Sequence, residues 1–337
     1  EAQLISLFTS LQEKPKSQNW WSSLPLPAAR EKPNAIADLV TLGDYWLAAA
    51  IEQKLIQPLD PEQLQEWEDL PPQYQRLVRR NQQGNIDPKG QVWAAPYRWG
   101  TTMIAYRRDK FKAEGLKPPQ DWKDLWREEL RDRISLLDQP REVIGLTLKK
   151  INPQNSYNAQ QLDKFPQLKP ELQKLDQQVK FYSDSTYLQP LILGDTWVAV
   201  GWSTDILPLI QRQPNTIGAV IPQSGTSLWV DLWVRPTKAN TNFDLARNWI
   251  DFCWQQETAL LFSRFGKAAS PIFAGESLEE LPKIIRDKKL LFPPPEVYQR
   301  SEFLLPLTPK AKQEYLNLWR EIRFHGLGLR DRSAGEE

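Results

Sequence analysis

Strand-length apolar runs alternate with helix-length amphipathic stretches along most of this 337-residue chain, and that alternation limits its fold more than any other feature. ADLVTL (37–42), RISLLD (133–138), TWVAVGW (196–202), TIGAVIP (216–222) and LWVDLWVRP (228–236) have the apolar content of buried strands. YWLAAAIEQKL (45–55), DWKDLWREEL (121–130), REVIGLTLKKI (141–151) and STDILPLIQRQ (203–213) have helical spacing. The expectation is an α/β fold with mixed, mostly parallel sheets flanked by helices. The length suffices for two domains, and no repeat or low-complexity linker separates them. Two lobes would therefore be joined by strands or short crossings.

Local signals fill in the rest. EAQLISLFTSLQEK, at the start, places Leu4, Leu7, Phe8 and Leu11 at helical spacing. Gly43 reads as a turn and Asp44 as the N-cap of the helix that follows. PEQLQEWEDL (61–70) and PPQYQRLVRR (71–80) read as short helices, and Asp87–Gly90 as a turn. QQLDKFPQLKPELQKLDQQ (160–178) is expected to break at its prolines. One long helix is expected from Phe243 to Phe262, and a largely helical C-terminus interrupted at Pro293–Pro295.

The chemistry available is narrow. Hydrophobic residues make up 40% and charged residues 25%, enough for a real core in a soluble globular chain. A net charge of +1 argues against a general nucleic-acid or membrane-surface binder. No run is long enough to cross a bilayer, and the start lacks a signal-peptide pattern. Cys253 is the only cysteine and His325 the only histidine, so any triad or histidine metal site must use that one imidazole. No P-loop, GxGxxG turn or CxxC pair is present. Fifteen tryptophans and nine tyrosines favour binding over catalysis. Carboxylate-only hydrolysis, with Asp231 and Glu142 as the pair, stays open because it needs only two acids.

LWVDLWVRP sets an acid between indoles. Side chains alternate along a strand, so Trp229, Asp231 and Trp233 share one face, while Leu228, Val230, Leu232 and Val234 line the other. Ligands of open α/β sheets bind beyond strand carboxyl ends. Stretches of that form offer Asp44 and Tyr45; Tyr97, Arg98 and Trp99; Asp138, Gln139 and Glu142; Trp202, Ser203 and Asp205; and Trp229 with Asp231. Indoles, a phenol and carboxylates suit a cation. Each cation–π contact contributes about 0.5–2 kcal/mol and each charged hydrogen bond about 1.5–3 kcal/mol. Plainer roles compete: Asp44 and Asp138 as helix caps, Glu142 as a complement to a helix dipole, and Trp202 or Trp229 as core. Asp231 is harder to reduce, because a carboxylate in an apolar strand needs a partner, either a ligand or a buried Arg or Lys.

In chain order, DLV…GDYWL…LIQPLD, PYRWGTT, DWKDLW, LLD with PREV, GWS, IPQSGTSLWVD and the late FG…SP resemble the periplasmic spermidine/putrescine-binding proteins of ABC importers, within the type II solute-binding fold. The match runs from Ala37 to Pro271. The resemblance implies a monomeric two-lobed clamp that closes on a small-molecule amine, uses no cofactor or metal, and delivers its cargo to ABC permease subunits in the periplasm. It implies lobe one at 1–106 and 229–275, and lobe two at 107–228 and 276–337 with the C-terminal helices. Asp231 and Trp229 match the family's central acid and its indole, Glu142 a second acid, Trp202 an indole from the other lobe and Tyr45 a phenol at the mouth. The resemblance begins after the family's first strand, so either the sequence is truncated or that part of the site is expected to be absent. Gln139 stands where the family often has an acid, with Asp138 beside it. Lys267 stands for a late tyrosine, and Arg98 for an apolar residue. These changes open two alternatives: an amino-acid or γ-aminobutyrate-like zwitterion with its carboxylate on Arg98, or a relative acting as a scaffold or assembly partner.

Overall fold

A computed structural model of the chain describes residues 37–239, 243–277, 279–286 and 288–333, with side chains through residue 324. The amphipathic stretch expected at Leu4–Leu11 lies outside the described residues. In chain order, β1 (Val40–Gly43) leads through a 3-10 turn into α1 (Leu47–Glu52) and β2 (Ile56–Gln57). Next come α2 (Pro72–Val78), β3 (Arg79–Arg80), β4 (Gln91–Val92), the long β5 (Ala95–Arg107) and α3 (Arg108–Ala113). β6 (Ile134–Leu136), α4 (Pro140–Ile151), α5 (Leu168–Gln178), β7 (Val179–Tyr182) and α6 (Gln189–Leu193) follow. β8 (Val198–Trp202), α7 (Ser203–Arg212), β9 (Ile217–Val220) and β10 (Ser227–Pro236) continue the alternation. The chain ends with α8 (Asp244–Trp254), α9 (Gln256–Phe265), α10 (Pro295–Arg300), β11 (Glu302–Phe303) and α11 (Pro309–Ser333).

Two compact units divide the chain: Glu1–Tyr97 with Asp231–Gln255, and Arg98–Val230 with Gln256–Glu337. The passages from one to the other fall inside β5, inside β10 and between α8 and α9. The sequence reading sets the corresponding boundaries at 106/107, 228/229 and 275/276.

In the first unit, β1 runs antiparallel to the second half of β10, with Thr41 opposite Trp233, Leu42 opposite Leu232 and Gly43 opposite Asp231. β2 pairs antiparallel with the end of β10, and β3 with β4. Leu42, Leu47, Ile51, Trp67, Leu232, Val234, Ile250 and Trp254 are buried here. A guanidinium is buried among them. Arg80 is 1% exposed and donates to the carbonyls of Leu77 at 2.6 Å and Gly84 at 3.0 Å. Burial lowers its pKa to about 10, against the charge of Asp44, which raises it.

In the second unit, β6 is parallel to both β7 and β8, whereas β5 meets β8 and β9 antiparallel. The sheet is mixed, with helices packed over a core that includes Ile104, Trp122, Ile134, Leu146, Val198 and Ile322. A smaller cluster of Met103, Ala199, Ile206 and Ile217 lies apart from it.

Several local expectations change in detail. Asp44 is not a cap: it is the first residue of the 3-10 turn Asp44–Trp46, and the cap position falls on Gly43, which has no side chain to offer. PEQLQEWEDL forms two 3-10 turns, because Asp60 caps the first and Leu64 returns to extended backbone at φ −100° and ψ 110°. The single helix expected from Phe243 to Phe262 divides at Gln255, whose ψ of 135° cannot continue a helix. The stretch 160–178 breaks around Pro166, as its prolines predict.

Close packing leaves no space at Gly201, next to Trp202. A Cβ there would lie 1.9 Å from Cε2 of Tyr187. Gly201→Ala is expected to cost about 1–3 kcal/mol through overpacking, read as a lower midpoint in calorimetry. An unchanged midpoint would mean that Tyr187 gives way freely.

Candidate ligand-binding site

A buried polar arrangement in the second unit centres on Glu142, in the first turn of α4. Its side chain is 5% exposed. One oxygen accepts from Thr102 Oγ1 at 3.1 Å, and the other accepts from Ser227 Oγ. The indole of Trp202 also donates to it. One carboxylate thus ties α4 to β5, β8 and β10. Thr102 and Trp202 lie directly opposite each other on β5 and β8, which explains how both reach the same acid.

Around this anchor the indoles are half-buried. Trp229 donates from Nε1 to the carbonyl of Thr101 at 3.4 Å. Its ring lies against Gly100, where a Cβ would be 2.4 Å from Cζ2 of Trp229 and 2.3 Å from Ser203 Oγ. Ser203 is buried, and its hydroxyl accepts from the amide of Thr101 at 3.2 Å. Trp202 meets Tyr187 edge to face at 6.2 Å, and its amide donates to the Tyr187 hydroxyl at 3.2 Å. That hydroxyl donates in turn to Asp205 at 2.6 Å, with Asp205 exposed at the start of α7.

In the first unit, the face of β10 that carries Asp231 is half-exposed, and the alternate positions are buried. The residue across the ladder is Gly43, where a Cβ would have no neighbour nearer than Trp46 Cδ1 at 4.0 Å. The glycine therefore places no side chain opposite Asp231. Trp233 is not simple core. It stacks on Tyr97 at 4.4 Å and 21°, and meets Trp249 edge to face at 6.1 Å. Tyr97 is fixed by a 3.0 Å hydrogen bond to Thr41. Tyr45 is 47% exposed and rests edge-on against Trp46. Asp44, by contrast, is buried and faces the charge of Arg80.

The remaining sequence candidates are engaged locally. Trp99 is fully buried, donating to the carbonyl of Ser270 at 3.1 Å and packing on Tyr298. Asp138 accepts from Trp319 Nε1 at 3.0 Å. Gln139 donates to Asp184 at 3.0 Å. Lys267 donates to Gln211. Arg98 is half-buried on β5. Thr102, Ser227 and Tyr187 carry no local sequence signature of their roles, because each lies far along the chain from the Glu142 or Trp202 it bonds. Gly201 before Trp202 was the one hint of a ring packed there. Among the described residues, no His, Cys, Asp and Glu cluster has the makings of a metal site, and no helix is long and apolar enough to cross a membrane.

A family model described as bacterial extracellular solute-binding protein matches residues 34–296. This chain belongs to that family. The putrescine-binding periplasmic protein of Escherichia coli is 26% identical over 305 residues, covering 85% of this chain and 78% of the relative. The putrescine/cadaverine-binding protein of Pseudomonas aeruginosa is 28% identical over 251 residues, covering 70% and 67%. Among solved structures, the spermidine/putrescine ABC transporter substrate-binding protein of Streptococcus pneumoniae has a TM-score of 0.72 at 23% identity, covering 86% of this chain and 84% of its own. A spermidine/putrescine ABC transporter protein of Listeria monocytogenes gives 0.65 at 26% identity, with the same coverage.

The burial of Glu142 has a measurable consequence. Burial raises its carboxyl above the ordinary 4.5, while the bonds from Ser227, Thr102 and Trp202 and the charge of Arg141 pull it down. A raised acid holds more protons folded than unfolded, so stability is lost as pH climbs from 4.5 through the folded value. Glu142→Gln lacks that loss. Urea unfolding between about pH 4 and pH 8 should show the variant gaining on the wild type as pH rises. A difference independent of pH would contradict the assignment.

Proposed function

We propose that this chain is the solute-binding protein of an ABC importer and that it binds a polyamine or related small amine in the periplasm. The observation that carries the reading is Asp231, a half-exposed carboxylate on an otherwise apolar strand, facing the empty Gly43 position and beside the Tyr97–Trp233 stack. An ammonium group suits that position in charge and size. The names of the relatives, which bind putrescine, cadaverine and spermidine, support it. In this reading Asp231 takes an ammonium. The chain acts as a monomer, performs no covalent chemistry and hands its cargo to permease subunits.

Glu142 supports binding over hydrolysis. Both of its oxygens are occupied by hydroxyl donors, and it is almost fully buried, so it is poorly placed to protonate a leaving group. Two of the three changes that motivate a zwitterionic ligand are engaged within the protein, Gln139 by Asp184 and Lys267 by Gln211. That leaves a cationic ligand as the better fit.

Titration calorimetry with putrescine, cadaverine, spermidine and γ-aminobutyrate tests this. The diamines are expected to bind, with γ-aminobutyrate weaker. Losing one charged hydrogen bond in Asp231→Asn should weaken putrescine about tenfold to a hundredfold with little change in melting temperature. A wild-type protein silent toward every amine, in heat and in thermal shift alike, would overturn the proposal in favour of a scaffold.

A further inference from the structure

The stretch matched by the family model ends at residue 296, yet the chain after it grips the turn between β6 and α4. α11 supplies two contacts to Asp138. Trp319 donates its indole N–H to Oδ1 at 3.0 Å, and Arg323 Nε lies 3.7 Å from the same oxygen. Arg323 is itself fixed, its guanidinium lying 3.8 Å above the ring of Tyr182, which meets Trp319 edge to face at 5.5 Å. Three residues after Asp138, the buried Arg141 donates to the carbonyl of Leu305 at 2.9 Å and lies over the ring of Tyr315. Tyr315 is tied down by its hydroxyl, which donates to the carbonyl of Ala159 at 3.1 Å. At the far end of α4, Lys149 pairs with Glu302 at 3.2 Å and donates to the carbonyl of Arg300. Asp138 and Lys149 bracket Gln139 and Glu142, so the C-terminal chain holds both ends of the stretch that carries them.

We infer that the C-terminal segment is a positioning clamp for ligand binding, with Trp319 and Arg323 fixing Asp138 and Tyr315 with the Leu305 carbonyl fixing Arg141. Asp138 then works through Trp319 and not by touching the ligand. The inference rests on the proposed binding function, in that the turn is taken to belong to the ligand site. Its physical basis is preorganisation: a turn held from outside in one conformation spends no binding energy on being ordered. Glu142 makes the requirement strict, since its bonds to Thr102 and Ser227 are met only if the first turn of α4 is set at the right height.

Trp319→Phe keeps the ring packing and deletes only the N–H donor. Loss of that bond should weaken putrescine about tenfold and speed hydrogen exchange in the peptide spanning 137–143, with the rest of the chain unchanged. Asp138→Ala should do the same, and the double variant should be no worse than either single one. Asp138→Asn, which retains the Oδ1 acceptor, should recover most of the affinity lost in Asp138→Ala. Unaltered affinity in Trp319→Phe together with unaltered exchange overturns the clamp. So does a large loss in Asp138→Asn that Trp319→Phe does not share, because it would make Asp138 a direct ligand contact. If the wild type binds no amine, the functional proposal fails and the exchange of 137–143 alone decides the clamp. If Trp319→Phe does not fold, the two Asp138 variants, altered at the more exposed end of the bond, carry the test.

Discussion

A carboxylate buried with no ion pair among the described residues organises the second unit. Burying a charge is costly unless its lone pairs are met, and Glu142 meets that cost with two hydroxyls and an indole drawn from three strands. The arrangement works only if Thr102, Trp202 and Ser227 converge, so the positions of β5, β8 and β10 are coupled through one side chain. The aromatic surfaces follow from it. Trp202 is set by its bond to Glu142 and by Tyr187, and Trp229 is set by Gly100 and the Thr101 carbonyl. Substitution of Gly100 would press on the Trp229 indole, and substitution of Gly201 on the Tyr187 ring that packs against Trp202.

Two acids that look alike in the sequence have opposite environments. Glu142 is enclosed and its oxygens are taken, whereas Asp231 stands half-exposed beside a glycine. Burial decides which of them is locked into the packing of its unit and which stands partly in solvent. Residue type alone does not make that distinction, because both are carboxylates next to apolar residues.

The period-two pattern of β10 was legible in the sequence because it is local: Trp229, Asp231 and Trp233 alternate with Leu228, Val230, Leu232 and Val234, and the burial follows. The strand–helix order was legible for the same reason. What escaped depends on residues remote in the chain. Gly43 opposite Asp231 and Tyr97 beneath Trp233 are matters of strand register and packing. Trp99 carries the same residue type as Trp229, yet it is fully buried, because the neighbouring chain at Ser270 supplies its hydrogen bond and Tyr298 covers its ring. The break at Gln255 has no proline or glycine to announce it. Asp44 has the sequence context of a cap, but the turn begins one residue earlier and leaves it facing buried Arg80.

Gln139 keeps a carboxylate at its turn. Its amide reaches out to Asp184 at 3.0 Å, and that carboxyl is raised by partial burial and by the charge of Asp138, against the hydrogen bond from Gln139 that lowers it. A negative group therefore still stands at this turn, moved outward by the length of a glutamine side chain. Asp138, the other acid of the turn, is occupied by Trp319. Any cation drawn to this turn meets a relay of amide and carboxylate in place of a direct acid contact.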